Sequence, residues 1–194
     1  MNRAFDFGIY LVGVNIIGFI FYIFYKWARS RIIKNILSFF LYLIAIAGGP
    51  LGLVLAILIF DRTAAKDGLS LKVFAFASLG IELVLFLLGS KDISSLRFNF
   101  LKFFKDNTYL LAYLLIINLL SFFAFAYDKY KAKKNGWRIK NGLLLALSFM
   151  GGAVGGLFAM KVFRHKTQKT YYKLGLPLMV LMQVLVLVYI MNMR

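Results

Sequence analysis

The chain has 194 residues, 62% of them hydrophobic, with a mean hydropathy of +0.81. Soluble domains are closer to half apolar, so the composition excludes an ordinary globular protein. With no cysteine and one histidine, disulfides are excluded and a zinc site is not expected, and we predict neither metal nor cofactor. The net charge of +17 indicates basic cytoplasmic loops facing anionic lipid, and it does not favour nucleic acid as a partner.

Apolar residues fall into six runs of roughly the length that crosses about 30 Å of hydrocarbon. Lysine and arginine are concentrated at the ends of the runs and in the short links between them, and tyrosine and tryptophan stand beside them as interfacial anchors. This segregation predicts an all-α, polytopic, multi-pass integral membrane protein, which we place in a bacterial inner (plasma) membrane. The six runs cover about 7–25, 36–60, 71–89, 108–127, 142–163 and 174–192.

The two halves of the chain match at a constant offset of 103 residues. Asn15 pairs with Asn118, and Gly52 pairs with Gly155. A tandem duplication of a three-segment unit explains such ordered matches. We therefore predict a degenerate first unit at 1–90, an interfacial linker at 91–107 and a second unit at 108–194. Within the linker, apolar residues at helical spacing favour a short helix in the membrane interface, with an ordinary linker as the alternative.

The middle run of each unit contains a glycine-rich break. If every run crosses the membrane, the two sides hold 11 and 13 basic residues, which gives no bias. If the middle runs turn and return, the sides hold 18 and 6, the asymmetry that the positive-inside rule expects. A kinked full crossing and an inverted pair of units are the alternatives to this re-entrant arrangement. The predicted turn residues are Gly48, Gly49, Pro50, Gly151, Gly152 and Gly155.

Four charged or amide residues fall near the middle of apolar runs. An ionisable Glu82 in mid-membrane is costly unless paired or wet, so it is a candidate to bind a cation or relay a proton. The amides of Asn15, Asn118 and Gln183 lie at related depths and complete a candidate midplane binding site. Hydrogen bonding between helices is the alternative for all four.

A denser polar cluster belongs to the second unit. Its arginines and lysines suit a phosphate, and Asp128 with His165 is a candidate acid–base pair. A structural network that neutralises Asp128 is the alternative. The first unit has Tyr25 and Arg62 at the matching positions, so we assign any special chemistry to the second. The candidate residues are Asp128, Lys129, Arg138, Arg164, His165, Lys166 and Lys169.

Several spaced motifs in the second unit belong together: Tyr127-Asp128-Lys129 with Ala132, Trp137-Arg138-Ile139, Gly151-Gly152 with Gly155, and Arg164-His165-Lys166 with Lys169. With these motifs, residues 115–190 resemble the bacterial membrane family known as domain of unknown function 1294. The chain departs from that family at Lys140-Asn141, where the family tends to have Pro-Glu. The resemblance implies a membrane location and no particular activity, and residues 10–90 look like a diverged second copy.

Three functions remain open from the sequence. The first is a small transporter or channel for an ion or small solute, since duplication, broken helices and Glu82 form a pattern shared by many transporters. The alternative is a non-enzymatic membrane module that binds anionic lipid headgroups, a protein partner or a second copy through its basic face. The weaker alternative is an enzyme acting on a lipid-linked phosphate. The chain has no nucleotide loop or nucleophile elbow, which weighs against an enzyme.

Overall fold

The computed structural model describes residues 3–61, 68–89, 96, 98–134 and 136–193, with side chains from residue 6 onward. Within these ranges the protein consists of helices and turns, which confirms the all-α class. Contacts divide the chain into two compact units, Met1–Glu82 and Leu83–Arg194. The helices are α1 (Arg3–Trp27), α2 (Arg31–Ile46), α3 (Pro50–Phe60), α4 (Leu69–Gly89), α5 (Phe100–Asp106), α6 (Thr108–Lys133), α7 (Asn141–Leu147), α8 (Ala153–Val162), α9 (Thr170–Lys173) and α10 (Gly175–Met191).

In the first unit, the middle run is a pair of antiparallel helices. α2 begins beside the C-terminal end of α1 and runs back along it, so that Phe21 meets Phe40 with ring centroids 6.4 Å apart. At the far end of α2 the backbone of Gly48 has a φ of +99°, a conformation that glycine adopts without steric cost. Pro50 then occupies the first turn of α3, where its missing N–H is not needed.

α3 returns parallel to α1. Phe60, its last residue, packs edge-on against Phe19 at 5.9 Å, and the following Asp61 lies 3.3 Å from Lys26 near the end of α1. The middle run of the first unit therefore starts and finishes at the same end of α1. We call this α2–α3 pair the first hairpin.

The second unit repeats this path. α7 and α8 are joined by a short π-helical turn, Ser148–Gly152, in which Gly151 has a φ of +122°. A single carboxylate shows where the two ends of the run lie. Asp128 near the end of α6 accepts a hydrogen bond from the backbone N–H of Ile139, before α7, and contacts His165, after α8. We call α7–α8 the second hairpin.

The described helices carry large apolar side chains on their surfaces. Phe24, Phe86 and Phe123 are 62%, 72% and 62% exposed, and only 11% of the α1 span is buried. Within the described part of the chain, five stretches are long and apolar enough to cross a membrane. They are Asp6–Trp27, Leu69–Gly89, Thr108–Lys133, Asn141–Val162 and Thr170–Met191. Within Asn141–Val162 the helical backbone is interrupted at Gly151.

Three predicted features fall partly beyond the described ranges. The predicted linker contains a short helix, α5, capped by the Asn99 side chain at Lys102 N–H; its place in the membrane interface stays a prediction, and residues 91–95 and 97 lie outside the described part. Arg62 also lies outside it. The predicted boundaries at residues 90 and 107 stay predictions, because the contact-based division falls inside α4.

Candidate functional site: two hairpins and the buried carboxylates that fasten them

The tip of each hairpin is held by an asparagine from the first helix of its unit. The Asn15 amide N–H₂ donates to the carbonyls of Leu11 and Gly48 at 2.8 and 2.9 Å, and its oxygen accepts from Gly52 N–H at 2.6 Å. One N–H and the oxygen of this amide therefore bind the turn region, and the other N–H is bonded within α1. Tyr10 adds a fourth bond, from its hydroxyl to the Ala47 carbonyl at 2.8 Å.

The second unit makes the same bonds at positions 103 residues later. The Asn118 amide donates to Leu114 and Gly151 at 2.7 and 2.9 Å and accepts from Gly155 at 2.7 Å. The Tyr113 hydroxyl donates to Met150 at 2.6 Å. The predicted asparagines thus serve as interhelical hydrogen-bond donors and acceptors, and a role in ligand binding stays a prediction.

Two glycines allow this close approach. A Cβ at Gly52 would collide with the carbonyl of Asn15, and one at Gly155 with the carbonyl of Asn118. Because both obstacles are backbone, neither is able to move aside as a side chain does. The close approach of the helices therefore requires glycine at both positions, and Gly155, which the sequence placed in the turn, lies within α8.

The other two predicted midplane residues are Glu82 on α4 and Gln183 on α10. Gln183 donates to the Ser148 carbonyl at 2.7 Å, in the turn of the second hairpin. A Glu82 carboxyl oxygen lies beside the turn of the first hairpin, 3.4 Å from where a Cβ on Gly48 would stand. Each of the four midplane residues thus lies at the hairpin tip of its own unit.

At the opposite end of the second hairpin lies Asp128, which is fully buried. One carboxylate oxygen accepts from Ile139 N–H at 3.0 Å. The other lies 2.7 Å from His165 Nε2 and 2.8 Å from Lys166 Nζ. Because a carboxylate only accepts, His165 must carry its proton on Nε2. One buried charge therefore closes both ends of the hairpin.

The loop after α8 is shaped to place the side chains of His165 and Lys166 against Asp128. His165 N–H bonds to the Met160 carbonyl at 3.1 Å, and Arg164 has a φ of +46°, the arrangement of a helix C-cap that glycine usually provides. Lys166 also has a positive φ, +60°. Left-handed conformations of non-glycine residues cost about 1–3 kcal/mol each and persist only when surrounding contacts enforce them. Here the contacts to Asp128 do so.

Lys166 is the most enclosed cation of the cluster. Its Nζ also donates to the Asn141 side chain at 2.8 Å and lies 5.1 Å over the Tyr172 ring. Burial lowers the pKa of Lys166, the hydrogen bond to Asp128 opposes that effect, and the nearby charges of Arg138 and Lys169 lower it further. Arg138 and Lys169 therefore belong to the same cluster, on its exposed side.

The structure does not bring two of the predicted cluster residues into this network. Lys129 follows Asp128 on α6 and is half-buried, whereas Arg164 is exposed. Among the described residues, the ion pairs of Asp128 are those with His165 and Lys166. A role for Lys129 and Arg164 in binding stays a prediction.

The first unit has a buried carboxylate that the sequence reasoning missed. Asp61 lies 3.3 Å from Lys26 and 3.0 Å from Lys72, and it accepts from the Tyr22 hydroxyl at 3.2 Å. The acid here follows the hairpin, whereas in the second unit the acid precedes it. The sequence did contain a signal, because Asp61 is an isolated acid at the end of an apolar run. The constant offset instead aligns Asp128 with Tyr25, which is not an acid.

The exposed apolar helices and the charged hairpin ends define an α-helical membrane protein. The family model "Protein of unknown function (DUF1294)" matches residues 118–172, which include Asp128, His165 and both ends of the second hairpin. The chain is also similar to "Uncharacterized protein YsdA" of Bacillus subtilis (strain 168), at 38% identity over 79 residues, 40% of this chain and 89% of that protein. The chain belongs to the DUF1294 family. No solved structure matches it.

Proposed function

We propose that the protein is a multi-pass bacterial inner-membrane module that holds anionic lipid phosphates on the basic face of its second unit. The observation that carries this proposal is the use of Asp128. Residues 107–194 contain twelve lysines and arginines and one acid, Asp128, and that acid is already occupied by His165 and Lys166. The exposed Arg138 and Lys169 therefore face no acid of this region.

The hairpins support the same proposal through their geometry. Both ends of the second hairpin lie at Asp128, so the basic residues before α7 and after α8 are gathered at one end of the unit. We infer that both hairpins re-enter the membrane from this basic side, which agrees with the 18-to-6 distribution of basic residues and with the attraction of cytoplasmic lysines and arginines to anionic lipid. We also infer that the units arose by duplication, because the tip contacts recur at the 103-residue offset.

Lipid binding is measurable beside Trp137, which is 95% exposed and adjoins Arg138. The chain has two tryptophans, so a Trp27→Phe background makes Trp137 the single reporter. Phosphatidylglycerol with brominated acyl chains, titrated into protein in phosphatidylcholine nanodiscs, should quench it. Arg138→Gln/Lys169→Gln should weaken this quenching about tenfold, since charge-assisted contacts to phosphate are lost.

The matched control is Lys102→Gln/Lys105→Gln, which removes two exposed charges from α5, at the other end of α6. It should leave quenching within about twofold of wild type, because screened charges more than a Debye length away contribute little. Equal quenching curves for wild type and Arg138→Gln/Lys169→Gln would disprove the proposal.

A transporter or channel is the second candidate, and one observation favours it. In the first unit, Glu82 places a carboxyl group beside the glycine turn of a broken helix, the kind of site at which transporters bind ions. Glu82→Gln should then reduce ion flux in proteoliposomes. Unchanged flux for each of Na⁺, K⁺ and H⁺ would leave this candidate without its main support.

A further inference from the structure

The first unit contains a cavity of about 370 Å³ at its basic end. This volume lies in the lower part of the range of about 300–1,000 Å³ that small-molecule pockets occupy. The cavity lies between the end of α1, the first turns of α2 and the residue before α4. Its lining residues are Tyr25, Arg29, Arg31, Lys34, Asn35, Ser38 and Gly68.

The cavity lining is cationic, and two of its three cations lie on one face of α2. Arg31, Lys34 and Ser38 recur three and four residues apart, so they lie in a single stripe along α2. Arg29 reaches the cavity from the link before α2. Among the described lining residues there are three cations and no acid, and Asp61, a neighbouring described acid, is already engaged by Lys26 and Lys72. The chemistry that such a cavity recognises is a phosphate or a similar oxyanion.

The exposed apolar side chains on the other face of α2 indicate the source of this anion. Ile32, Ile33 and Ile36 are 72%, 51% and 52% exposed, and Trp27, between Tyr25 and Arg29, is 78% exposed. A cationic cavity bordered by exposed isoleucines and a tryptophan is typical of the boundary between hydrocarbon and headgroups. A ligand placed there has its charge in the cavity and its acyl chains along α2.

We propose that this cavity is a binding site for the phosphate of an anionic phospholipid. Arginine offers paired N–H groups to two phosphate oxygens, and lysine adds a point charge. All the lining residues belong to the first unit, so this proposal does not require the Arg138 and Lys169 face to bind lipid.

Trp27 provides a reporter for this site. In a Trp137→Phe background of the full chain, brominated phosphatidylglycerol titrated into phosphatidylcholine nanodiscs should quench Trp27. Arg31→Gln/Lys34→Gln should weaken that quenching by about tenfold. Lys102→Gln/Lys105→Gln and Arg138→Gln/Lys169→Gln remove the same charge elsewhere and should leave it within about twofold. If Arg138→Gln/Lys169→Gln weakens Trp27 quenching as much as Arg31→Gln/Lys34→Gln does, the cavity is not a separate site.

Ser38→Phe tests the cavity itself, because it fills space while keeping every charge. It should weaken quenching at least as much as the charge variant, and full quenching in Ser38→Phe would show that lipid gathers on the surface and not in the cavity. Inorganic phosphate at 0.15 M ionic strength identifies the source of the anion. It should not displace phosphatidylglycerol more than an equal ionic strength of chloride does, and complete displacement would overturn the lipid assignment in favour of a free anion.

Discussion

Because Asp128 is buried, its charge has a large effect on the free energy of unfolding. A buried ion pair is only weakly stabilising compared with apolar residues, but removing one partner leaves the other as an uncompensated charge. In Asp128→Asn, the mostly enclosed Lys166 ammonium loses its counter-charge while the side-chain volume is kept. We expect the free energy of unfolding in detergent to fall by about 3–5 kcal/mol, measured by thermal or denaturant unfolding of the purified protein.

The exposed Asp106→Asn is the matched control and should change stability by less than about 0.5 kcal/mol. Asp128→Asn/Lys166→Met removes both charges and keeps the apolar volume of the lysine, so it should recover much of the loss. A single Asp128→Asn variant as stable as Asp106→Asn would mean that the cluster does not hold the hairpin closed.

At this scale, the sequence predicted some contacts and not others. Asp128, His165 and Lys166 were recognisable because they occur in a spaced motif that makes sense only if the middle run returns. Asp61 was not, because its partner Lys72 comes from the next helix and neither residue repeats at the 103-residue offset. Comparing the two halves at a constant offset identifies only residues that occupy the same position in both units. An ion pair requires only that the two charged groups lie close together, whatever their positions in the sequence.

Among the helices, the packing of α8 on α6 depends on the missing side chain of Gly155. In Gly155→Ala, the new methyl group meets the Asn118 carbonyl, so the helices must separate and the Asn118 bond to residue 155 must lengthen. We expect a loss of about 1–3 kcal/mol in the free energy of unfolding, as for other overpacked contacts. Thermal unfolding in detergent measures it.

Gly13→Ala, in the interior of α1, is the control for this prediction. A Cβ there meets no heavy atom within 4 Å, and alanine is the better helix former by about 0.5–1 kcal/mol. Gly13→Ala should therefore stabilise the protein while Gly155→Ala destabilises it. The same sign for both substitutions would contradict the close approach of α6 and α8.

The glycine breaks of the middle runs were predictable because two consecutive glycines destabilise a helix and permit a sharp turn of the backbone. The start of α2 was not predictable from hydropathy. The apolar run begins near residue 36, but the helix begins at Arg31, because long basic side chains extend to water while their stems cover apolar surface. Hydropathy therefore placed the boundary about one turn too late.

At the scale of the whole molecule, the hairpin arrangement predicts which side of the membrane each link faces. The chain has no cysteine, so single cysteines can be introduced and labelled in intact cells with an impermeant thiol reagent. Lys140→Cys and Lys169→Cys flank the second hairpin, Lys34→Cys lies in the first turn of the first hairpin, and Lys66→Cys follows that hairpin in the sequence. If the hairpins re-enter as proposed, all four should be protected until the membrane is opened, because basic links are expected on the cytoplasmic side.

Lys102→Cys, at the other end of α6, is the reference and should label from outside. Labelling of Lys169→Cys together with protection of Lys140→Cys would mean that the second middle run crosses the membrane, and the re-entrant inference would then be abandoned.

The two buried carboxylates are placed in opposite senses, and this constrains which hairpin docks on which helix during folding. If the second hairpin met α1, His165 and Lys166 would face Lys26, a cation, with no acid supplied by the helix. If the first hairpin met α6, Asp61 would be brought toward Asp128. Two related units in one chain risk exchanging parts as they fold, and like charges brought together penalise the wrong pairing. Because the acid follows the hairpin in the first unit and lies on α6 in the second, each hairpin forms its ion pair only with the helix of its own unit.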